Sequence, residues 1–299
     1  MPPLHAASLE DIRRYARGAL HAADALAQTP TPLAAVEAAA GLLPAEELFL
    51  AGADVPPGLA DSVARLMKKV MGGLAYREKR VYLNTAELAL PRRRFVHGHE
   101  LGHQVLPWQE QAYYADDDNT LSPETRDAME WEANAFSAEL LFGLDRFTTM
   151  ADSYAPGLAV PLHLSNEFQT SAHAAIRRYV ATSQHRVALL TLGRFTRRVP
   201  RGPYLPVMND QCAESPGFAE RFGSITDLAA RPLVLAEHPA IAAAERVAPT
   251  SLLEDNDDLV IETKRGMTTF QTQAFHNGRL HFVLLYQQGR FNGQRLRAA

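Results

Sequence analysis

His99-Glu100-Leu101-Gly102-His103 constrains this chain more than any other run of residues. In a helix the two histidines stand four apart on one face, where both imidazoles can grip a single metal ion. Glu100 lies beside them, off the ligand line, where it can take a proton from a metal-bound water. The flanking residues favour a helix. Pro91 suits a first turn, because its missing N–H would have no partner there anyway. Phe95, Val96, Leu101, Val105 and Leu106 form an apolar stripe, and Pro107 stops the run. A buried helix carrying two histidines and a glutamate is costly unless those polar groups share a partner.

A catalytic zinc keeps three protein ligands and one open position, so a third donor is required. The pattern H-E-x-x-H-x-x-G-x-x-H fails, because Leu106 and Gln109 stand where its Gly and final His belong. A second helix offers the alternative. Ser122 as N-cap and Pro123 in the first turn open it, with Glu124 and Asp127 near the positive end of its dipole. Glu130, Asn134, Ser137 and Leu141 then share one face. Glu130 is the expected third ligand, and Asn134, one turn on, is placed to hydrogen-bond a ligating side chain. Glu132 is the rival ligand but points elsewhere around the helix; Glu132 and Glu139 are expected on solvated surface. His97 faces away from the metal and is read as structural.

With these residues in view, the chain resembles the ImmA/IrrE metallopeptidases. Arg94-Phe95 ahead of His99-Glu100-Leu101-Gly102-His103, and Glu132-Ala133-Asn134-x-Phe136 on the second helix, carry the resemblance, and the strand candidate ending at Asn84 is similar to one in that family. Phe142-Gly143 stands where the family often has Met-Pro. The resemblance covers roughly residues 8–185. It implies an intracellular gluzincin of bacteria or phages whose substrate is a helix-turn-helix repressor, cleaved to release stress-response or mobile-element genes.

The chemistry follows from the assigned roles. Zinc, or Mn²⁺, held by His99, His103 and Glu130 lowers the pKa of its water to about 7 in sites of this kind, and Glu100 accepts the proton as hydroxide attacks a peptide carbonyl. A further oxyanion donor is expected; Tyr113, Tyr114, His163 and His173 are the candidates, and the sequence does not choose among them. Val81, Tyr82 and Leu83 are expected to form an edge strand that pairs with the substrate backbone.

No leader-like apolar segment follows Met1, and no apolar run is long enough to span a membrane, so a cytoplasmic protein is expected. Cys212 is alone, which excludes an internal disulfide and fits a reducing compartment. The net charge of −4 gives no nucleic-acid footprint. Between Trp108 and Glu132 eight acids face Arg126 alone, and the loop Asp116–Asn119 could attract a basic partner.

Three parts are expected, in an α+β fold. Residues 1–150 form a mainly helical, gluzincin-like metallopeptidase core with a small sheet. Its first helix is capped around Ser8–Asp11, its second opens at Thr31-Pro32, and its third spans 59–70 and ends at Gly72-Gly73. Residues 151–185 form a helix-turn-helix-like unit with Ser171 capping its second helix; only Arg177 and Arg178 offer phosphate contacts there, so direct DNA binding is the weaker expectation. Residues 186–299 form an α+β domain with an antiparallel sheet, including a hairpin around Asn277-Gly278. Its position is similar to that of the GAF-like sensor domain of IrrE-type proteins, which implies a ligand or signal bound there. The competing reading is a regulator that binds DNA or protein through residues 160–299, with a metal that serves structure only. A closed structural zinc wants a fourth protein ligand, usually Cys, and the sequence places none nearby.

Overall fold

The first apolar period belongs to helix α1 (Ala6–Ala22), where Ile12, Ala16 and Leu20 stand four apart and are fully buried. It begins ahead of the Ser8–Asp11 segment expected to cap it. The structure is a computed structural model that describes residues 6–47, 71–85, 88–110, 122–193, 196–198, 202–205, 212–225, 233–234, 238–287 and 296. The chain forms two units, residues 1–146 with 167–170 and residues 147–166 with 171–299.

In the first unit α2 (Leu33–Ala39) follows Pro32 as expected. Strands β1 (Leu43–Glu47), β2 (Gly72–Ala75) and β3 (Arg80–Leu83) make a sheet in the order β1-β3-β2, with β1 parallel and β2 antiparallel to the central strand. The helix expected over 59–70 lies outside the described residues. Gly72 and Gly73 do not close a helix but start β2. A Cβ on Gly72 would come within 2.6 Å of Val96 Cγ1, so glycine serves here to let a strand lie close to a helix. β1 is unforeseen. Its Leu-Pro-Ala-Glu-Glu sequence shows no alternation and its side chains are mostly exposed; pairing with β3 and an ion pair between Glu46 and Arg80 make it a strand.

Helix α3 (Leu90–Val105) carries the histidines, with Pro91 in its first turn. Helix α4 (Pro123–Leu141) starts as expected, the Ser122 hydroxyl accepting a bond from the Thr125 N–H at 3.2 Å. The two helices pack through small residues. A Cβ added to Gly98 would lie 2.6 Å from Ser137 Oγ, and one added to Gly102 would lie 3.0 Å from Ala133 Cα. Ser137 Oγ also donates to the Phe95 carbonyl at 2.8 Å, which pins one helix on the other. Val96, Leu101 and Leu106 of the expected stripe join Ile12, Leu20, Val36, Val81, Phe136 and Leu140 in one apolar core.

Helices α5 (Arg146–Asp152), α6 (Ala159–Glu167) and α7 (Ala172–Thr182) come next along the chain. Ser171 caps α7, accepting from the Ala174 N–H at 3.1 Å. The rest of the second unit holds β4 (Val187–Leu192), β5 (Thr196–Arg198), β6 (Gly202–Leu205), β7 (Ala213–Glu214), α8 (Pro216–Phe222), β8 (Leu233–Val234), α9 (Pro239–Glu245), β9 (Leu252–Leu253), β10 (Leu259–Thr263), β11 (Gly266–His276) and β12 (His281–Tyr286). The main sheet is antiparallel, in the order β10-β11-β12-β4-β7, with β9 added to β11. β5, β6 and β8 form a separate sheet. The hairpin between β11 and β12 turns at Asn277-Gly278, with Gly278 at φ +92°, where a Cβ would be strained. Phe218, Phe222 and Phe270 cluster with Leu190, Ile241 and Val283 to fill the core behind the sheet. The α+β class holds in both units.

Two stability tests follow from this packing. Gly98→Ala should lower stability by about 1–2 kcal/mol in urea unfolding, because an overpacking cost of about 1–3 kcal/mol exceeds the helix propensity gained from alanine. Removing the opposed hydroxyl in the Gly98→Ala, Ser137→Ala double variant should recover part of the loss. In the second unit, burial lowers the His281 imidazole to about 4, with the stacked His276 ring 4.1 Å away adding to the effect. An unfolded histidine titrates near 6.5, so between those values the unfolded chain holds a proton that the folded one rejects. Stability should therefore fall as pH drops through that window. Thermal melts across it should show a shallower slope for His281→Leu.

Candidate metal centre

The turn of α3 that carries His99 and His103 brings their ring centroids to 4.6 Å and their Nε2 atoms to 3.0 Å. Glu130 reaches across from α4, with Oε2 3.3 Å from His99 Nε2 and Oε1 3.6 Å from His103 Nε2. One donor atom from each of the three residues lies within 4.8 Å of the others. Ligand atoms about 2.1 Å from a tetrahedral zinc are roughly 3.4 Å from one another, so the spacing matches the ion. Two imidazoles and one carboxylate are also a donor set of catalytic rather than structural zinc. Among the described residues no fourth His, Cys, Asp or Glu joins the group.

Each imidazole is held from behind. His99 Nδ1 lies 3.1 Å from Asn134 Oδ1, the contact expected of Asn134. His103 Nδ1 lies 2.7 Å from Gln109 Oε1. Sequence reading missed Gln109. Its only clue was its position, where another zinc pattern has histidine, and it enters the site because the chain breaks at Leu106 and turns back. Glu132 and Glu139 are not on solvated surface. Glu132 accepts from Trp108 Nε1 at 2.6 Å and Gln109 Nε2 at 2.8 Å, and the buried Glu139 pairs with Arg13 at 3.3 Å. The helix arithmetic kept Glu132 off the metal face but could not show that α1 and the turn after α3 would cover it. His97 points the other way and meets Glu37, with Nε2 3.2 Å from Oε1; Glu37 Oε2 accepts from the Ala45 N–H.

Glu100 is buried, and burial raises its carboxyl above the usual range, opposed by the nearby imidazoles of His103 and His99. Hydrogen bonds to His103 and His99 hold Glu130 well below that range, so it stays an anion. For His103, burial favours the neutral ring, but Glu130, Glu100 and Gln109 together outweigh it and the net shift is upward. Anionic Glu130 thus faces both imidazoles, while Glu100 sits in a drier setting that favours proton uptake.

The site floors a cleft of about 480 Å³. Met71, Gly72 and Gly73 at the start of β2 and Arg92, Phe95 and Val96 of α3 line it together with the metal-site residues. Val81, Tyr82 and Leu83 do not form the edge expected of them. β3 is the central strand, paired on both sides, with Val81 and Leu83 in the core. The unforeseen β1 fills one side, so the strand at the cleft is β2, which pairs only with β3 among the described residues. His163 lies exposed on α6, and His173 on α7 packs its ring 5.1 Å from that of Phe282; neither is among the described residues lining the cleft. Tyr113, Tyr114 and the loop Asp116–Asn119 lie outside the described residues.

Paired histidines one turn apart, a carboxylate from the following helix and a buried glutamate beside them define a metallopeptidase-type centre. Residues 62–179 match the family model described as the IrrE N-terminal-like domain, Peptidase_M78, in agreement with the ImmA/IrrE resemblance of the motifs. Among curated proteins none matches the chain. Among solved structures, a Mycobacterium tuberculosis transcriptional regulator is similar at 14% identity and a TM-score of 0.47, over 95% of this chain and 80% of that one. No described helix is long and apolar enough to cross a membrane.

Glu130→Ala should remove one of three donors while leaving the fold intact, since the Glu130 side chain is 58% exposed. Zinc affinity by chelator competition should fall by more than the roughly 10–100-fold typical of losing a group that only orients a ligand.

Proposed function

We propose that the chain is a zinc-dependent endopeptidase that cuts a peptide bond in a protein substrate, a helix-turn-helix repressor, and so releases the genes that repressor silences. The observation that carries the enzymatic part is the three-donor cluster opening onto a cleft with buried Glu100 in its floor. A cation bound there supplies Lewis-acid polarisation of the scissile carbonyl and makes water a better acid. Glu100 takes the proton of the attacking water, and its raised affinity for that proton suits it to hand the same proton to the leaving amine. Glu130 offsets positive charge. His99 and His103, backed by Asn134 and Gln109, keep their Nε2 atoms turned to the cleft. The edge of β2, which pairs only with β3 among the described residues, suits an extended substrate segment laid along the cleft.

The repressor as substrate, and the stress-response or mobile-element setting, rest on the family resemblance. The lone Cys212 fits a reducing cytoplasm. A signal read by the second unit would complete such a switch.

Glu100→Gln is the discriminating variant. Zinc content should match the wild type, while fragments of co-expressed helix-turn-helix proteins, read by mass spectrometry, should fall by about 10²–10⁴-fold in yield rate. A protein that regulates by binding alone would keep its effect on gene expression in this variant.

A further inference from the structure

A histidine can ligate a metal through Nε2 only if its proton sits on Nδ1, and the group facing Nδ1 decides that. At His103 this group is the amide of Gln109, which can present either an oxygen or an NH₂. With the oxygen toward Nδ1, the ring must donate there and its Nε2 lone pair is free. With the NH₂ toward Nδ1, the proton moves to Nε2 and ligation is blocked.

The surroundings of Gln109 choose between these states. Its Nε2 donates to the Met129 carbonyl at 3.0 Å and to Glu132 Oε2 at 2.8 Å. A flipped amide would set its oxygen against that carbonyl and that carboxylate, three acceptors with no hydrogen among them. Gln109 is fully buried, so water cannot relieve the conflict. Glu132 is itself fixed, since the same Oε2 accepts from Trp108 Nε1 at 2.6 Å, and the Trp108 ring packs edge-on against Tyr15 at 5.4 Å. The partner of His99 is different: Asn134 is exposed, so solvent can serve either orientation of its amide.

We propose that Gln109 is a positioning residue for His103, and that Glu132, held by Trp108, sets the Gln109 amide so that His103 Nε2 is presented to the metal. The inference rests on the metallopeptidase reading for its consequence but not for its geometry. The carboxylate that resembled a rival ligand works two hydrogen bonds back from the ligating ring. Locking is one-sided: the His103 arm is rigid and the His99 arm is adjustable.

The test combines two readouts on the full chain. In metal-free protein labelled with ¹⁵N at histidine, with pH raised until the His103 ring has lost its second proton, two-bond ¹⁵N–¹H spectra report the tautomer of His103. The Nδ1–H form is expected in the wild type and in Glu132→Gln, whose amide oxygen can still accept from both Gln109 and Trp108. Gln109→Met and Glu132→Leu should lose the preference. Their zinc affinity by chelator competition should drop about 10–100-fold, and Asn134→Ala should drop less than either. Gln109→Glu should also weaken zinc binding, because its second oxygen would face Met129 O and Glu132. It is close to isosteric, so it guards against a folding artefact in Gln109→Met. An Nε2–H tautomer in the wild type would overturn the proposal, as would Gln109→Met and Glu132→Leu variants with wild-type tautomer and affinity. A wild-type protein with the Nδ1–H form but no affinity for zinc would instead overturn the peptidase reading on which the consequence rests.

Discussion

Everything at the metal centre depends on how closely α3 and α4 approach. Gly98 and Gly102 leave no side chain between the axes, and Ser137 ties the helices together through the Phe95 carbonyl. Glu130 and Asn134 lie on the α4 face that this contact turns toward the histidines. Packing therefore places a carboxylate within 3.6 Å of both imidazoles without a loop having to carry it. Sites built on packed helices hold their geometry better than sites on loops.

The cost of that arrangement explains the polar residues around it. Buried imidazoles, carboxylates and amides are unfavourable unless each has a partner. The partners come from three directions. Asn134 and Gln109 take the Nδ1 atoms, Glu130 faces the Nε2 atoms, and Glu37 takes His97 on the far side of α3. A carboxylate thus lies on each side of the same helix. Glu37 also reaches the Ala45 N–H, and so links α3 to the strand β1 that displaced the expected substrate edge. The second unit stands on different physics: an apolar layer of aromatic rings beneath an antiparallel sheet, with half-buried His276 stacked on buried His281 at the hairpin.

Much of the site was legible because helices announce themselves by period and cap. His99, Glu100 and His103, the face shared by Glu130 and Asn134, and the caps at Ser122 and Ser171 all follow from local rules, and the structure brings the first five together. What could not be read depends on chain segments distant in sequence or on backbone alone. β1 lacks any side-chain pattern, so the centrality of β3 was invisible. Gly72 resembles a helix terminator until Val96 is placed against it. Gln109 sits six residues past His103 beyond a break, where no helical spacing applies. Glu132 and Glu139 look solvated until Trp108 and Arg13 are folded over them. In the second unit the Asn-Gly turn revealed the hairpin of β11 and β12, whereas the two-residue strands β7, β8 and β9 carry too little sequence to show a period.

How a divalent ion is held in the zinc-loaded protein decides whether this cluster is a catalytic centre. X-ray absorption at the zinc edge reads this directly. Two imidazole nitrogens and one carboxylate oxygen at about 2.0–2.2 Å, completed by a single non-protein oxygen, are the expected shell. A fourth protein ligand, or a shell without two imidazoles, would contradict the account.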